Sequence, residues 1–178
     1  MPSVSTADVP PLVLTLRLDE AAQERFDALR REHFPPERNH LQAHVTLFHA
    51  LPGVYEAEVR EDLERSSERP GYDVDVVRVR SLGTGVAYDL RSPELAAQRG
   101  ELSRRWQPWL TPQDARPHAA HVTVQNKVTP ERARTLLHEL EAGFSPYAVR
   151  ATGLALWRYL GCPWEPLATY RFSPAATG

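Results

Sequence analysis

The spacing of apolar residues along the chain alternates between a period of two, typical of strands, and a period of three to four, typical of helices. In residues 12–18 (LVLTLRL) leucine occupies every second position, which predicts a half-buried strand with its leucines facing the core. Asp19 provides an N-cap for a helix over residues 20–32, whose apolar residues share one face. The pattern therefore begins with a strand followed by a helix.

The same reasoning predicts the other elements. Strands are expected at 72–80, at 86–90, at 147–159 with a break near Gly153, at 166–172, and around two short motifs at 44–47 and 121–124. Helices are expected at 56–69, from Pro93 to Trp106, and at 130–142, with Ser92, Thr129 and Gly143 at their ends. Strands and helices alternate along the whole chain.

Both halves of this pattern have the order strand–helix–strand–helix–strand. We therefore predict one domain over 9–173, built from pseudo-repeats at 12–80 and 84–159, with short tails at 1–8 and 174–178. The middle strand of each repeat carries the same tetrapeptide, His-x-Thr-apolar, at His44-Val45-Thr46-Leu47 and at His121-Val122-Thr123-Val124. Because the halves share little other identity, the duplication rests on element order and on this motif.

The repeated tetrapeptide suits acid–base chemistry on a phosphate. Side chains alternate between the faces of a strand, so histidine and threonine point one way and the apolar residues point into the core. Two such strands side by side would present two imidazoles and two hydroxyls to one space. One imidazole can accept a proton while the other donates one, and a threonine hydroxyl can donate to a phosphate oxygen. This chemistry requires neither a metal nor another cofactor.

The composition says more about the possible binding partners of the protein than about its fold. With 42% hydrophobic and 25% charged residues, the chain is an ordinary globular protein, and its net charge of −2 argues against general attraction to nucleic acid. The one cysteine, Cys162, excludes an internal disulfide and suits a reducing compartment. No apolar run is long enough to span a bilayer, and the first residues do not resemble a signal peptide. We expect a cytoplasmic monomer without membrane attachment.

The two motifs and their surroundings resemble the 2H phosphoesterase superfamily, and most closely its bacterial 2′-5′ RNA ligase proteins. The resemblance includes residues 43–53 and 121–128, the Gly-x-Gly-Val turn at 83–86 and the segment 157–164, and it extends from Leu12 to Phe172. One departure is Ala120, which stands where a proline commonly precedes the second motif. This difference concerns the entry to the strand and leaves the histidine pair intact.

The resemblance implies a bilobed α+β fold of two antiparallel sheets, with helices outside and a cleft between them. It also implies hydrolysis of 2′,3′-cyclic phosphates on RNA ends or small nucleotides, with reversible 2′-5′ ligation in some members. By analogy with the family, His121 is the base for the attacking water, and His44 is the acid for the leaving 3′ oxygen, which gives a 2′-phosphate. Thr46 and Thr123 would bind the phosphate.

Strand parity suggests further residues of the cleft. Phe48 shares the predicted face of His44 and could stack on a base, and Gln125 shares that of His121 and could bind substrate or an imidazole. Trp157 and Tyr159 form the non-leucine face of a late strand, and Arg17 could supply positive charge. Surface positions are expected for four arginines and three histidines, with His49 facing away from His44: Arg30, Arg31, Arg104, Arg105, His33, His49 and His138.

Two other functions agree with the same residues. His40 with His44, and His118 with His121, have the spacing of zinc ligands on a helix, although both pairs lie where a loop enters a strand. A nucleotide-binding module without catalysis is the second alternative. Loss of turnover on mutation of either motif histidine separates an enzyme from a module, and sensitivity to a chelator would indicate zinc.

Overall fold

The computed structural model describes residues 8–174, so most of the two predicted tails lies outside the described residues. The strands are β1 (Leu12–Leu18), β2 (Val45–Leu51), β3 (Tyr72–Ser81), β4 (Val86–Arg91), β5 (His121–Gln125), β6 (Tyr147–Arg158) and β7 (Glu165–Arg171). The helices are α1 (Glu20–His33), α2 (Glu56–Ser66), α3 (Pro93–Trp106), α4 (Pro112–Ala115) and α5 (Pro130–Ala142). No helix within 8–174 is long and apolar enough to cross a membrane.

The helices begin where their capping residues predict. Asp19 Oδ1 accepts a hydrogen bond from the Ala22 amide at 2.9 Å, at the start of α1. Ser92 caps α3 in the same way, with the amide of Leu95 at 3.2 Å. The predicted elements are confirmed to within about three residues, because caps and apolar periodicity are local features of the sequence.

The sheet is antiparallel throughout, which confirms the predicted α+β class. β6 joins its two halves: residues 147–151 pair with β3, whereas residues 151–158 pair with β1 on one side and residues 153–158 with β7 on the other. One half has the order β2-β1-β6-β7, and the other has the order β5-β4-β3-β6. The halves therefore form one continuous seven-stranded sheet. β3, the last strand of the first predicted repeat, lies in the half that holds β5, and β6, the last strand of the second, lies in the half that holds β2.

The predicted break in β6 is present only as a register irregularity: Arg17 of β1 faces Gly153 whereas Leu18 faces Ala151, so Thr152 is an extra residue in a strand that runs on to Arg158. Gly153 lies within the continuous strand, and a Cβ there would stand 2.4 Å from the Tyr170 carbonyl oxygen of β7. The glycine therefore permits the close approach of β7 and does not interrupt the strand.

The helices cover one face of the sheet and leave the other to a cleft. Leu12, Leu14 and Leu16 are at most 3% exposed and pack in one cluster with apolar residues of α1, α2 and α3. The opposite face of the same strand presents Thr15 and Arg17 to the cleft. The alternation of apolar and polar side chains in β1 therefore supplies residues to both the core and the floor of the cleft.

Candidate active site

The two motifs lie on the two edge strands, β2 and β5, which the curvature of the sheet brings into contact. Side chains outside these strands link the surroundings of one motif to the strand of the other. Arg30 Nη1 of α1 donates to the Thr123 carbonyl oxygen at 3.1 Å, and His118 Nε2 donates to the Thr46 carbonyl oxygen at 2.8 Å. The first motif is therefore fixed relative to the second, although neither strand pairs with the other in the sheet.

The two motif histidines are held in the same way. His44 Nδ1 lies 2.7 Å from the Gln42 carbonyl oxygen, and His121 Nδ1 lies 2.9 Å from the Ala119 carbonyl oxygen. A carbonyl can only accept, so Nδ1 carries the hydrogen in both rings, and Nε2 is the atom left to exchange a proton. Both rings are half-buried, so solvent reaches them.

Burial confirms the predicted alternation as far as the threonines. Thr46 and Thr123 are half-buried on the histidine side, whereas Val45 and Val122 are 1% exposed. Beyond the threonines the alternation ends in both strands. Each pairing contains an irregularity at this point: Thr15 faces Thr46 but Leu14 faces Phe48, so β2 contains one extra residue, Leu47.

β5 has the same bulge at the matching place. Ala87 faces Thr123, whereas Val86 faces Gln125, so Val124 is the extra residue. A bulge of one residue reverses the parity of the later residues in its strand. The roles predicted for Phe48 and Gln125 are therefore wrong in the free protein, since both side chains leave the histidine face.

Phe48 is fully buried, with its ring centroid 5.1 Å from that of Trp106 and 4.3 Å from the Arg99 guanidinium carbon. Gln125 is 4% exposed, and its side-chain oxygen has no hydrogen-bond partner among the described residues. His49 comes directly after Phe48 and is exposed, in agreement with its predicted surface position, with its ring turned to Asp114.

Asp114 of α4 holds the free edge of β2. Its carboxylate accepts from the amides of His49 and Ala50 at 2.8 and 2.9 Å, and it lies 2.9 Å from His49 Nδ1. The residue is 1% exposed. Burial acts to raise the pKa of Asp114, but the hydrogen bonds from His49 and Ala50 outweigh it, and the pKa lies below its ordinary value.

Arg30 lies inside the protein, which corrects the prediction that it is a surface residue. It is 5% exposed, and its Nε donates to Asn39 Oδ1 at 2.8 Å and to the Leu41 carbonyl oxygen at 3.0 Å. Together with its bond to Thr123, these contacts connect the loop before His44 to the strand of His121.

Arg99 of α3 makes the reciprocal connection. Its Nη2 donates to the carbonyl oxygen of Asp114 at 2.6 Å, in the short helix α4 before the second motif. Its Nε donates to the Leu47 carbonyl oxygen at 3.2 Å, in the strand of the first motif. Each half of the chain thus contributes one buried arginine that holds the segment before its own motif and the motif strand of the other half. Sequence alone did not indicate this role, since helix periodicity does not reveal which charged residue a distant strand will cover.

The environment of His44 favours its neutral form. Burial is the largest cause that lowers the pKa of His44; the hydrogen bond to Gln42 opposes it, and the charges of Arg30, His121 and His49 add to the lowering. Burial likewise lowers the pKa of His118.

We expect the His44 ring to titrate below about 6.5, the ordinary value for histidine. The unfolded chain then takes up a proton at higher pH than the folded protein, so the free energy of unfolding falls as the pH decreases from about 6.5. An NMR titration of the ring protons, with His44 assigned by His44→Gln, measures the first effect, and urea unfolding at several pH values measures the second. A His44 signal that titrates at or above 6.5 would contradict the expectation.

A cleft of about 1090 Å³ extends from His44 over the exposed face of β1, β6 and β7. Its wall contains Trp157 and Arg17, as predicted, and also Trp164, whose ring centroid lies 4.9 Å from that of His44. Trp157 Nε1 donates to Thr15 Oγ1 at 3.0 Å. His121 is not part of this wall, so the histidine pair lies at the margin of the cleft.

Tyr159 is not part of the cleft wall. It lies just past the end of β6 and is 47% exposed, and its predicted contact with substrate stays a prediction. Trp164, which the prediction missed, lies in the turn between β6 and β7, where strand parity gives no guidance. Among residues 8–174, no group of three or more histidine, cysteine, aspartate or glutamate side chains is placed to hold a metal ion.

Two anchored histidines on facing strands of a curled antiparallel α+β sheet define the class to which this protein belongs, the 2H phosphoesterases. The family model described as the 2′-5′ RNA ligase superfamily matches residues 18–162, and the chain belongs to this superfamily. The membership predicted from the motifs is confirmed.

Solved structures show the same fold. E. coli LigT complexed with NADP+ is 19% identical, with a TM-score of 0.60, over 93% of this chain and 98% of that one. The protein TT0787 of Thermus thermophilus is 13% identical, with a TM-score of 0.60, over 93% of this chain and 99% of that one. No curated protein matches the chain significantly.

Proposed function

We propose that this protein is a metal-independent phosphoesterase that hydrolyses 2′,3′-cyclic phosphates of RNA ends or small nucleotides to 2′-phosphates. The observation that carries the proposal is the matched anchoring of His44 and His121, each through Nδ1 to the carbonyl two residues before it. This anchoring leaves both Nε2 atoms available for proton transfer. E. coli LigT has been crystallised with 3′-AMP and with ATP, which agrees with a nucleotide ligand.

In the proposed reaction His121 Nε2 takes a proton from water as the water oxygen attacks phosphorus. The bond between phosphorus and the 3′ oxygen breaks, and His44 Nε2 gives its proton to that oxygen. The Thr46 and Thr123 hydroxyls donate to the non-bridging oxygens, where negative charge increases in the transition state. An RNA 5′-hydroxyl in place of water would give a 2′-5′ bond by the same transfers.

The lowered pKa of His44 opposes the acid role in the free protein, because an acid must carry its proton. A bound phosphate acts in the other direction, since negative charge next to the ring favours the imidazolium. The assignment of His44 as acid therefore depends on substrate binding. The expectations of a monomer and of a cytoplasmic location stay predictions.

The test is a panel of nucleoside 2′,3′-cyclic monophosphates and short RNAs with cyclic ends, with the product identified by ³¹P NMR. We expect 2′-phosphates, with turnover unchanged by EDTA. A 3′-phosphate product would contradict the leaving-group assignment. Absence of turnover would favour a binding module, whereas activity lost with EDTA and restored by zinc would favour a zinc hydrolase.

A further inference from the structure

A charged row of side chains crosses the sheet beside the second motif. Asp89 of β4 pairs with His121 of β5, and Arg78 of β3 pairs with Asp89. Residues directly opposite each other share a face of the sheet, so all three side chains project on one face, with the aspartate between the arginine and the histidine. None of the three lines the cleft beside His44, which extends over β1, β6 and β7. This row therefore belongs to the other half of the sheet.

The next row leads to the threonine of the second motif and contains no carboxylate. Ala87 of β4 pairs with Thr123, and Arg80 of β3 pairs with Ala87. Arg80 lies two strand spacings from Thr123, about 9.6 Å, and only the methyl group of Ala87 stands between them in this row. The Arg80 side chain is 32% exposed, whereas Ala87 is buried beneath its neighbours. The small alanine therefore leaves room for a guanidinium group beside the threonine hydroxyl.

The Asp89 carboxylate holds both arginines of β3, through one nitrogen of each. It accepts from Arg78 Nε at 2.5 Å and from Arg80 Nε at 2.7 Å. Burial acts to raise the pKa of Asp89, but the hydrogen bonds from the two arginines outweigh it, and the pKa lies below its ordinary value. Two arginines and one ionised aspartate leave one positive charge uncompensated. Among residues 8–174, neither Nη group of Arg80 has a hydrogen-bond acceptor, so both are available to a ligand.

The first motif has a single arginine at the matching place. By the register of β1 with β2, Arg17 lies opposite His44, and it is exposed without an ion pair among the described residues. Ala155 of β6 takes the position that matches Arg80, two strands from Thr46. Each motif therefore has one uncompensated positive charge on the sheet beside it, although the two halves place it on different strands. Cations on both sides suit a transition state that gathers negative charge on the non-bridging phosphate oxygens.

We propose that Arg80 binds the reacting phosphate from the side of the second motif, with its Nη groups donating to a non-bridging oxygen beside Thr123. Asp89 is a positioning residue, because it holds Arg80 through Nε and leaves the other two nitrogens of the guanidinium fork free. Arg78 neutralises Asp89 and does not contact the phosphate, since the aspartate stands between them. This inference rests on the proposed function, which supplies the reacting phosphate.

The experiment compares two substitutions that each remove one arginine from Asp89. Arg80→Ala is expected to lower kcat/KM for a nucleoside 2′,3′-cyclic monophosphate by about 10- to 100-fold, because a charge-assisted donor to the phosphate is lost. The matched control is Arg78→Ala, which breaks the other bond to the same carboxylate and should lower kcat/KM by less than about threefold. Circular dichroism and urea unfolding show whether both variants keep the fold.

Equal losses in the two folded variants, or a wild-type rate in Arg80→Ala, would overturn the inference. Phosphate binding separates this failure from a failure of the proposed function. An NMR titration of the His121 ring protons with inorganic phosphate needs no turnover, and the wild type should bind phosphate about tenfold more tightly than Arg80→Ala. If the wild type hydrolyses no cyclic phosphate but shows this difference, the phosphate site is retained without the reaction. Equal binding, or no binding to the wild type, would exclude the site as well.

Discussion

Replacing His121 with alanine is expected to lower kcat for a 2′,3′-cyclic phosphate by about 10²–10⁴-fold, and His44→Ala by a similar factor. Each change removes one proton transfer and leaves the strand intact, since both rings are half-buried and neither belongs to the apolar core. The double variant should lose less than the product of the single losses, because acid and base act in one transition state. Initial rates at saturating substrate measure the effect.

His138→Ala is the matched control. This histidine lies exposed on α5 and has no hydrogen bond or ion pair to the motif strands among the described residues, so kcat should stay at the wild-type value. Circular dichroism and unfolding curves of all variants show whether the fold is retained. Retention of more than a tenth of the wild-type kcat by a folded His44→Ala or His121→Ala protein would exclude the proposed mechanism.

Arg30→Met is expected to reduce stability by about 2–4 kcal/mol and to lower kcat by about tenfold or more. The substitution retains an unbranched apolar stem of similar length but leaves three acceptors without their donor: Asn39 Oδ1, Leu41 O and Thr123 O. These acceptors belong to the loop before His44 and to the strand of His121. Without the Arg30 guanidinium, the contacts that link the loop before His44 to the strand of His121 are lost, and the distance between the two histidine rings is less well fixed.

The comparison variant is Arg31→Met. Arg31 is the next residue of the same helix, and its side chain is 59% exposed in an ion pair with Glu24, so the expected change in stability is within about 0.5 kcal/mol. Urea unfolding measures stability, and a comparison of kcat with KM shows whether chemistry or binding is affected. A merely structural role would reduce stability and leave the kcat of the folded fraction unchanged. If Arg30→Met behaved like Arg31→Met, the contacts of Arg30 would have no effect on the site.

The two halves of the chain depend on each other for the site. α1 packs on β5, Arg99 of α3 holds β2, and β6 belongs to both halves of the sheet. Each motif strand therefore receives its edge contacts from elements of the other half. Neither half alone contains all the contacts that hold its motif strand in place.

Much of this arrangement is determined by local sequence. The leucines of β1 determine which face is core, the capping side chains of Asp19 and Ser92 determine where helices begin, and the paired motifs identify the candidate histidines and threonines. These signals are local because backbone geometry alone fixes which neighbours share a face or a turn. The four motif residues could be identified without knowledge of the surrounding structure.

Beyond Thr46 and Thr123, the prediction from side-chain alternation was wrong, because alternation assumes a regular strand. The bulges at Leu47 and Val124 exist only with respect to the register of the neighbouring strands, and they move Phe48 and Gln125 out of the site. The predicted surface position of Arg30 was wrong for a related reason. A charged residue near the end of a helix resembles a solvated one until a distant strand covers it.

The amino-acid sequence by itself determined most of the helices and strands, the two histidines and the faces on which they lie, because these depend on interactions within a few residues. The α+β class followed only from the resemblance of the two motifs to a known family. The tertiary structure alone decided that the edge strands meet, which arginines are buried between them, and which residues line the cleft. These features depend on contacts between residues far apart in the chain, and only the curvature of the shared sheet brings those residues together.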